Sequence, residues 1–219
     1  MFECDTPELK VIGRAGAGNT LISEIVLEEL ANNHYDQVNV LWSGINRIDV
    51  PIGLTLHQVV KGYEYCYQLQ DVVWYSSGGY GASGFGHECP REIKKIFKTM
   101  YSGASPKHLT NLTCSSMIKV QTLLKSKNIP YHMSFIYDIH QSMEGSWLEC
   151  VLGKIDPSAS LYPLVDWNTI QTLDTPYEWC KSHDLVSNDG FHPSNDGMKQ
   201  WYKKHVNLDI FSRTLDLKS

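Results

Sequence analysis

Apolar runs alternate with polar, glycine-bearing breaks along this chain, and the first fifty residues set the pattern. Residues 9–12 form a short apolar run closed by Gly13, which predicts a buried strand. The loop Arg14-Ala15-Gly16-Ala17-Gly18-Asn19-Thr20 follows. Leu21, Ile22, Ile25, Val26 and Leu30 then recur at helical spacing, with Asn19 or Thr20 as N-cap and Asn32-Asn33 as the stop. Residues 38–42 read as the next buried strand. Strand, loop, helix and strand in that order are the signature of an α/β fold with a parallel sheet.

The middle is less regular. Residues 44–62 read as a long loop broken by Pro51 and Gly53. Residues 63–69 alternate and 71–75 are apolar, which predicts two short strands in an irregular insertion around residues 50–88. The glycine-rich stretch 76–86 reads as a mobile surface loop. A helix is expected from Pro90 to about Tyr101, with Ile93, Ile96, Phe97 and Met100 on one face. Ser105 as N-cap and Pro106 in the first helical position open a longer one, striped by Leu109, Leu112, Ser116, Val120, Leu123 and Leu124. Asn128-Ile129-Pro130 ends it, and residues 131–137 are the next strand. Beyond lie a helical turn at 146–152, a loop with Pro157 and Pro163, a short helix at 176–181, and a last helix at 196–206 capped by Ser194. No internal repeat or linker interrupts this order, so one domain over residues 1–219 is expected. That length buries a core without disulfides or metal.

Composition narrows the function classes. Apolar content of 42% and charged content of 20% are those of an ordinary globular chain. A net charge of −5 without a basic run leaves no nucleic-acid footprint. Lys94-Lys95 and Lys203-Lys204 fall on helices as solvated faces. No signal peptide and no long apolar span is visible, so a membrane is not an expected partner. The six cysteines, Cys4, Cys66, Cys89, Cys114, Cys150 and Cys180, are widely and irregularly spaced. That argues against a zinc knuckle or disulfide scaffold and for a reducing, cytoplasmic setting. Asn111-Leu112-Thr113 is then an incidental glycosylation sequon.

Candidate chemistry concentrates in three places. Asp189-Gly190-Phe191-His192 lies in a turn-rich stretch before the last helix. A carboxylate three residues ahead of a histidine can hold imidazole Nδ1 and leave Nε2 free as a base. Gly44-Ile45-Asn46 follows the strand at 38–42, at the sheet edge where open α/β folds bind ligands. Gly16-Ala17-Gly18-Asn19 opens a helix, where backbone N–H groups can receive an oxyanion or a phosphate. Its glycine order is not that of a dinucleotide loop, no acidic residue ends the next strand, and no lysine follows as in a P-loop. Gly79-x-Gly81-x-x-Gly84 fits the dinucleotide spacing but opens no helix. His87-Glu88-Cys89 and Asp138-Ile139-His140 lack partners at zinc spacing, so no metal or other cofactor is expected.

In chain order these pieces resemble the SGNH/GDSL hydrolase superfamily, marked by a nucleophilic serine, a glycine, a Gly-x-Asn and an Asp-x-x-His. Gly18, with Gly16 as the second alignment, resembles the glycine block; Gly44-Ile45-Asn46 resembles the third block and Asp189–His192 the fourth. The spacing and the aromatic, glycine-rich middle are similar to SGNH-like proteins of tailed phages. This resemblance implies a three-layer α/β/α sandwich with a mainly parallel, flavodoxin-like sheet. It also implies hydrolysis of an ester or acetyl group, including carbohydrate deacetylation, through an acyl-serine. In those roles His192 is the general base, Asp189 its orienter, and Gly18 N–H with the Asn46 amide the oxyanion donors.

One block departs from the family. Residues 1–8 offer neither the first strand nor its serine, and Phe2-Glu3-Cys4-Asp5-Thr6 is a poor substitute. Ser23 falls on a helix, and Ser43 at a strand end is the better placed of the two. The expectations left open are an N-terminally truncated ester hydrolase, a non-catalytic binding module of the same fold carried in a virion or binding sugars, a nucleotide-binding protein using the Gly16–Gly18 loop, and a false resemblance.

Overall fold

The computed structural model describes Lys10, Ile12 and residues 16–53, 66–69, 71–77, 91–140, 153–172, 174–188 and 192–205. The chain divides into two compact units, residues 14–175 and a smaller one formed by residues 1–13 with 176–219. In the larger unit the order is α1 (Asn19–Asn32), β1 (Val38–Trp42), β2 (Asp49–Gly53), β3 (Cys66–Leu69), β4 (Val72–Ser76), α2 (Arg91–Gly103), α3 (Pro106–Ser126), β5 (Tyr131–Phe135) and β6 (Ile170–Gln171). Two short 3-10 turns, Tyr162–Leu164 and Trp167–Thr169, precede β6. The chain is thus α/β, as its pattern implied.

Its described strands form two sheets rather than one. β1, β5 and β6 make a parallel sheet in the order β1-β5-β6, with Val40 opposite Met133 and Trp42 opposite Phe135. Val40, Trp42, Met133, Phe135 and Ile170 pack there with Met117, Val120 and Leu124 of α3 and Leu30 of α1. β2, β4 and β3 make an antiparallel sheet in the order β2-β4-β3. Side chains alternate across β4: Val73 and Tyr75 pack with Ile93 and Phe97 of α2, while Trp74 packs with Leu21 of α1. Helices therefore cover both faces of this sheet.

Several expectations change in detail. The segment read as loop from 44 contains β2, and Pro51 pairs with Trp74 inside it. Proline is tolerated because β2 is an edge strand among the described residues, where the N–H that proline lacks is not needed for a ladder bond. Lys10 and Ile12, the described members of the expected first strand, adopt no strand, and Ile12 is 41% exposed. On α2 the buried line is Ile93, Phe97 and Tyr101, spaced by four, and Met100 is 36% exposed. On α3 Leu112 likewise faces outward, and Thr113 and Met117 take its place in the core. The expected turn at 146–152 and the glycine-rich stretch beyond Ser77 lie outside the described residues.

Gly18, not Asn19 or Thr20, is the N-cap of α1, with extended φ −89° and ψ 176°. Ser105 caps α3 as expected, accepting the His108 N–H at 3.1 Å, with Pro106 behind it. Asn111 of the sequon lies within α3, and its side-chain oxygen accepts the Leu161 N–H at 3.0 Å. In the smaller unit, α4 (Pro176–Ser182) and α5 (Asn195–His205) pack through Trp179, Cys180 and Trp201. Ser194 accepts the Gly197 N–H at 3.0 Å and so caps α5 as expected. Among the described residues no helix is long and apolar enough to cross a membrane.

Replacing Ser105 by alanine removes one capped donor of α3 and should lower stability by about 1 kcal/mol in urea unfolding. An unchanged midpoint would show that the cap contributes nothing.

Candidate functional site

The helix that begins at Asn19 has no side-chain cap of its own. Its first N–H groups are satisfied by a carboxylate thirty residues on, at the first position of β2. Asp49 accepts the Gly18 N–H through Oδ1 and the Leu21 N–H through Oδ2, each at 2.8 Å. The Ser76 hydroxyl of β4 adds a third donor at 2.6 Å. An anion at a helix N-terminus is favoured by the orphan amides and by the helix dipole. The approach is so close that a Cβ on Gly18 would lie 2.6 Å from Asp49 Oδ2 and 2.9 Å from the Arg47 carbonyl. Only glycine fits there. Burial pushes the Asp49 carboxyl above its ordinary 3.8, against the pull of Ser76, the two amides and the Arg47 charge.

The same contacts bring two of the three sequence blocks together. Gly18 lies against the main chain of Arg47, one residue past Asn46. The turn holding Asn46 is closed by the Arg47 N–H bond to the Gly44 carbonyl at 3.3 Å. Tyr101 of α2 donates its hydroxyl to the Asn46 carbonyl at 2.6 Å and shares a 2.5 Å hydrogen bond with the Ser77 hydroxyl. Burial raises the Tyr101 phenol to about 12, so it stays a neutral donor. Asn19 completes the frame. Its buried side chain accepts the Ser43 N–H at 2.7 Å, donates to the Ser43 carbonyl at 3.1 Å, and reaches Thr113 of α3 at 3.1 Å. Helix α1 is thereby tied to the C-terminal end of β1.

At that end, where parallel α/β sheets bind ligands, there is a small depression. Ser43, Gly44, Phe135, Tyr137, Asp138 and Gly153 line it, with Ile139 at its side. Its cavity volume is about 10 Å³, room for a single water. The Ile155 N–H bond to the Ile139 carbonyl and the Asp156 N–H bond to Thr110 Oγ1, both 3.0 Å, hold the Gly153 segment in place. Gly153 has φ +62°, and a Cβ there would run into all three polar-end atoms of the Asn46 side chain. The Asn46 amide therefore rests directly on Gly153. Ser43 is 6% exposed, and its hydroxyl has no hydrogen-bond partner among the described residues. A buried hydroxyl left unmatched costs roughly 1–3 kcal/mol.

The sequence-predicted residues fare unequally. Gly18 and Asn46 share one neighbourhood, but the Gly18 N–H is committed to Asp49 rather than open to a ligand. His192 lies in the smaller unit and is exposed; its carbonyl accepts the Ser187 N–H at 2.7 Å, beside the bridge between Val186 and Pro193. Asp189 lies outside the described residues, as do Cys4 and His87-Glu88-Cys89. Ser23 is buried on α1 and bonds the Thr20 carbonyl at 2.8 Å. Asp138 caps its own turn by accepting the His140 N–H at 2.8 Å. Among the described residues no group of three or more His, Cys, Asp or Glu is arranged to hold a metal. Asp49, Tyr101 and Gly153 were not foreseen. Comparison with family models, with curated proteins and with solved structures gives no match.

A carboxyl whose folded-state value is raised stabilises the fold fully below its unfolded value, and that contribution is lost as pH rises through the raised one. The stability advantage of the parent over Asp49→Asn should therefore shrink as pH climbs from the ordinary 3.8 toward neutrality. Denaturant unfolding of both proteins across that range checks this, and an advantage that grows with pH would contradict it.

Proposed function

We propose that this chain carries an ester-hydrolase site of SGNH type, with no residue of it assigned as the nucleophile and its acyl group received at the C-terminal rim of β1 and β5. The observation that supports this most is the meeting of the glycine and Gly-x-Asn blocks, with Asn46 set beside the rim depression by Gly153 and Tyr101. In this proposal the Asn46 amide stabilises the oxyanion, His192 is the general base and Asp189 orients it. The Gly18 N–H, held by Asp49, supports the loop. Its fold would be the flavodoxin-like one of that superfamily, with the antiparallel β2-β4-β3 sheet as the insertion, and its substrate an acylated small molecule or carbohydrate.

A second function is a binding module of the same fold. It is favoured by the Gly18 N–H, which is committed to Asp49 rather than open to an oxyanion. Against a nucleotide at the Gly16–Gly18 loop stands the Asp49 carboxylate, which already occupies the helix N-terminus where a phosphate would sit.

Turnover of p-nitrophenyl acetate separates the two functions. The hydrolase should show it, lose it in His192→Ala, and fall about 10²–10³-fold in kcat in Asn46→Ala. No turnover, together with binding of an acetylated glycan, would give the place to the binding module.

A further inference from the structure

The geometry points to Tyr101 and Ser77 as positioning residues for Asn46, acting through a one-way chain of hydrogen bonds onto its main chain. The bonds stand on their own geometry; what they hold Asn46 for, donation to an oxyanion, rests on the hydrolase proposal.

Tyr101 ends the row by which α2 meets the antiparallel sheet. Ile93, Phe97 and Tyr101 pack with Val73 and Tyr75 of β4 and with Ile48. Apolar contacts therefore fix its ring, which leaves the residue only 6% exposed. A tyrosine so buried needs a partner for its hydroxyl. That hydroxyl donates to the Asn46 carbonyl at 2.6 Å and shares the 2.5 Å bond with Ser77 Oγ. Ser77 follows β4 directly and is fully buried. Its N–H bonds the Ile48 carbonyl at 2.9 Å, and its Oγ accepts the Ile48 N–H at 3.0 Å. Ser77 thus carries the β2–β4 ladder one pair beyond Asp49 and Ser76, with a hydroxyl in place of a carbonyl.

The direction of the bonds follows from the proton count. Each hydroxyl has one proton to give. Tyr101 gives its proton to Asn46, so the Ser77 proton goes to Tyr101. The order is Ile48 N–H to Ser77, Ser77 O–H to Tyr101, and Tyr101 O–H to Asn46. Bonds in such a series polarise one another. The series leaves the main chain at Ile48 and returns to it at Asn46, so it closes on both sides of Arg47. The turn's own bond, from the Arg47 N–H to the Gly44 carbonyl, is long at 3.3 Å. Asn46 therefore has its main chain held by Tyr101 and its side chain set against Gly153. A donor that meets a developing charge without reorganising needs that fixity. Tyr101 itself moves no proton to or from substrate: burial lifts its phenol to about 12, well above the range of a histidine base.

Two variants and two readouts test this on the full chain. Tyr101→Phe keeps the ring and its packing and removes only the hydroxyl. Ser77→Ala removes the relay but leaves Tyr101 able to donate. In NMR spectra the Asn46 side-chain NH₂ pair should shift and broaden in Tyr101→Phe and shift less in Ser77→Ala, with the amides of the β1–β5 ladder unmoved. Asn46 signals as in the parent would overturn the proposal, and so would shifts spread equally over the ladder. With p-nitrophenyl acetate, kcat should fall about tenfold in Tyr101→Phe, a part of the loss expected on removing an oxyanion donor outright. KM and the shape of the pH profile should change little. The double variant should be no slower than Tyr101→Phe, because both residues act through one series of bonds. Additive losses, or a rise in KM at constant kcat, would overturn the positioning role. Shifted Asn46 signals in variants of a parent without ester turnover would uphold the clamp and remove only the hydrolase function.

Discussion

A single buried carboxylate organises this end of the molecule. Asp49 begins an edge strand, yet its two oxygens close the first turn of a helix that starts thirty residues earlier, and a strand-borne hydroxyl closes the third side. The three donors come from α1 and β4, while the acceptor belongs to β2. Removing the carboxylate would leave two buried amides unmatched, each at roughly 1–3 kcal/mol. The requirement propagates to the glycine at position 18, because no other residue permits the approach.

From this constraint the rim follows in steps. With α1 anchored, Asn19 can grip Ser43 and fix how β1 ends. Between Ser43 and Asp49 the chain has room for one tight turn, and that turn carries Asn46. Tyr101 holds its main chain from one side and Gly153 receives its side chain from the other. A short polar side chain is thus held in a set orientation without being deeply buried. That combination suits a group that must donate to a developing charge and not reorganise when the charge forms.

How much of this was legible in the sequence depends on range. Elements whose signals are local came through: α1 with its stop at Asn32, β1, the Ser105-Pro106 start of α3, and the Ser194 cap. The hydrophobic period that predicted α3 put Leu112 on the wrong side, because Thr113, reached by the Asn19 side chain, and Met117 are buried in its place through contacts that periodicity cannot weigh. β2 was hidden by Pro51 and Gly53, which exclude an interior strand but not an edge strand. Once β2 was missed, Asp49 had no reason to stand out, since its partners at Gly18, Leu21 and Ser76 are remote in sequence. Asn46 was found because Gly-x-Asn after a strand is a local pattern. Gly153 was not, because its need for glycine arises from a side chain more than a hundred positions away.

The central claim, that Asp49 locks the start of α1, is tested most directly by hydrogen exchange at the Gly18 and Leu21 amides. Both lie at a helix N-terminus, where amides ordinarily exchange quickly for want of an intrahelical acceptor. The account predicts that they exchange as slowly as the protected amides of the β1–β5 ladder. Exchange at the rate of an open loop would mean that the carboxylate does not hold them, and would contradict it.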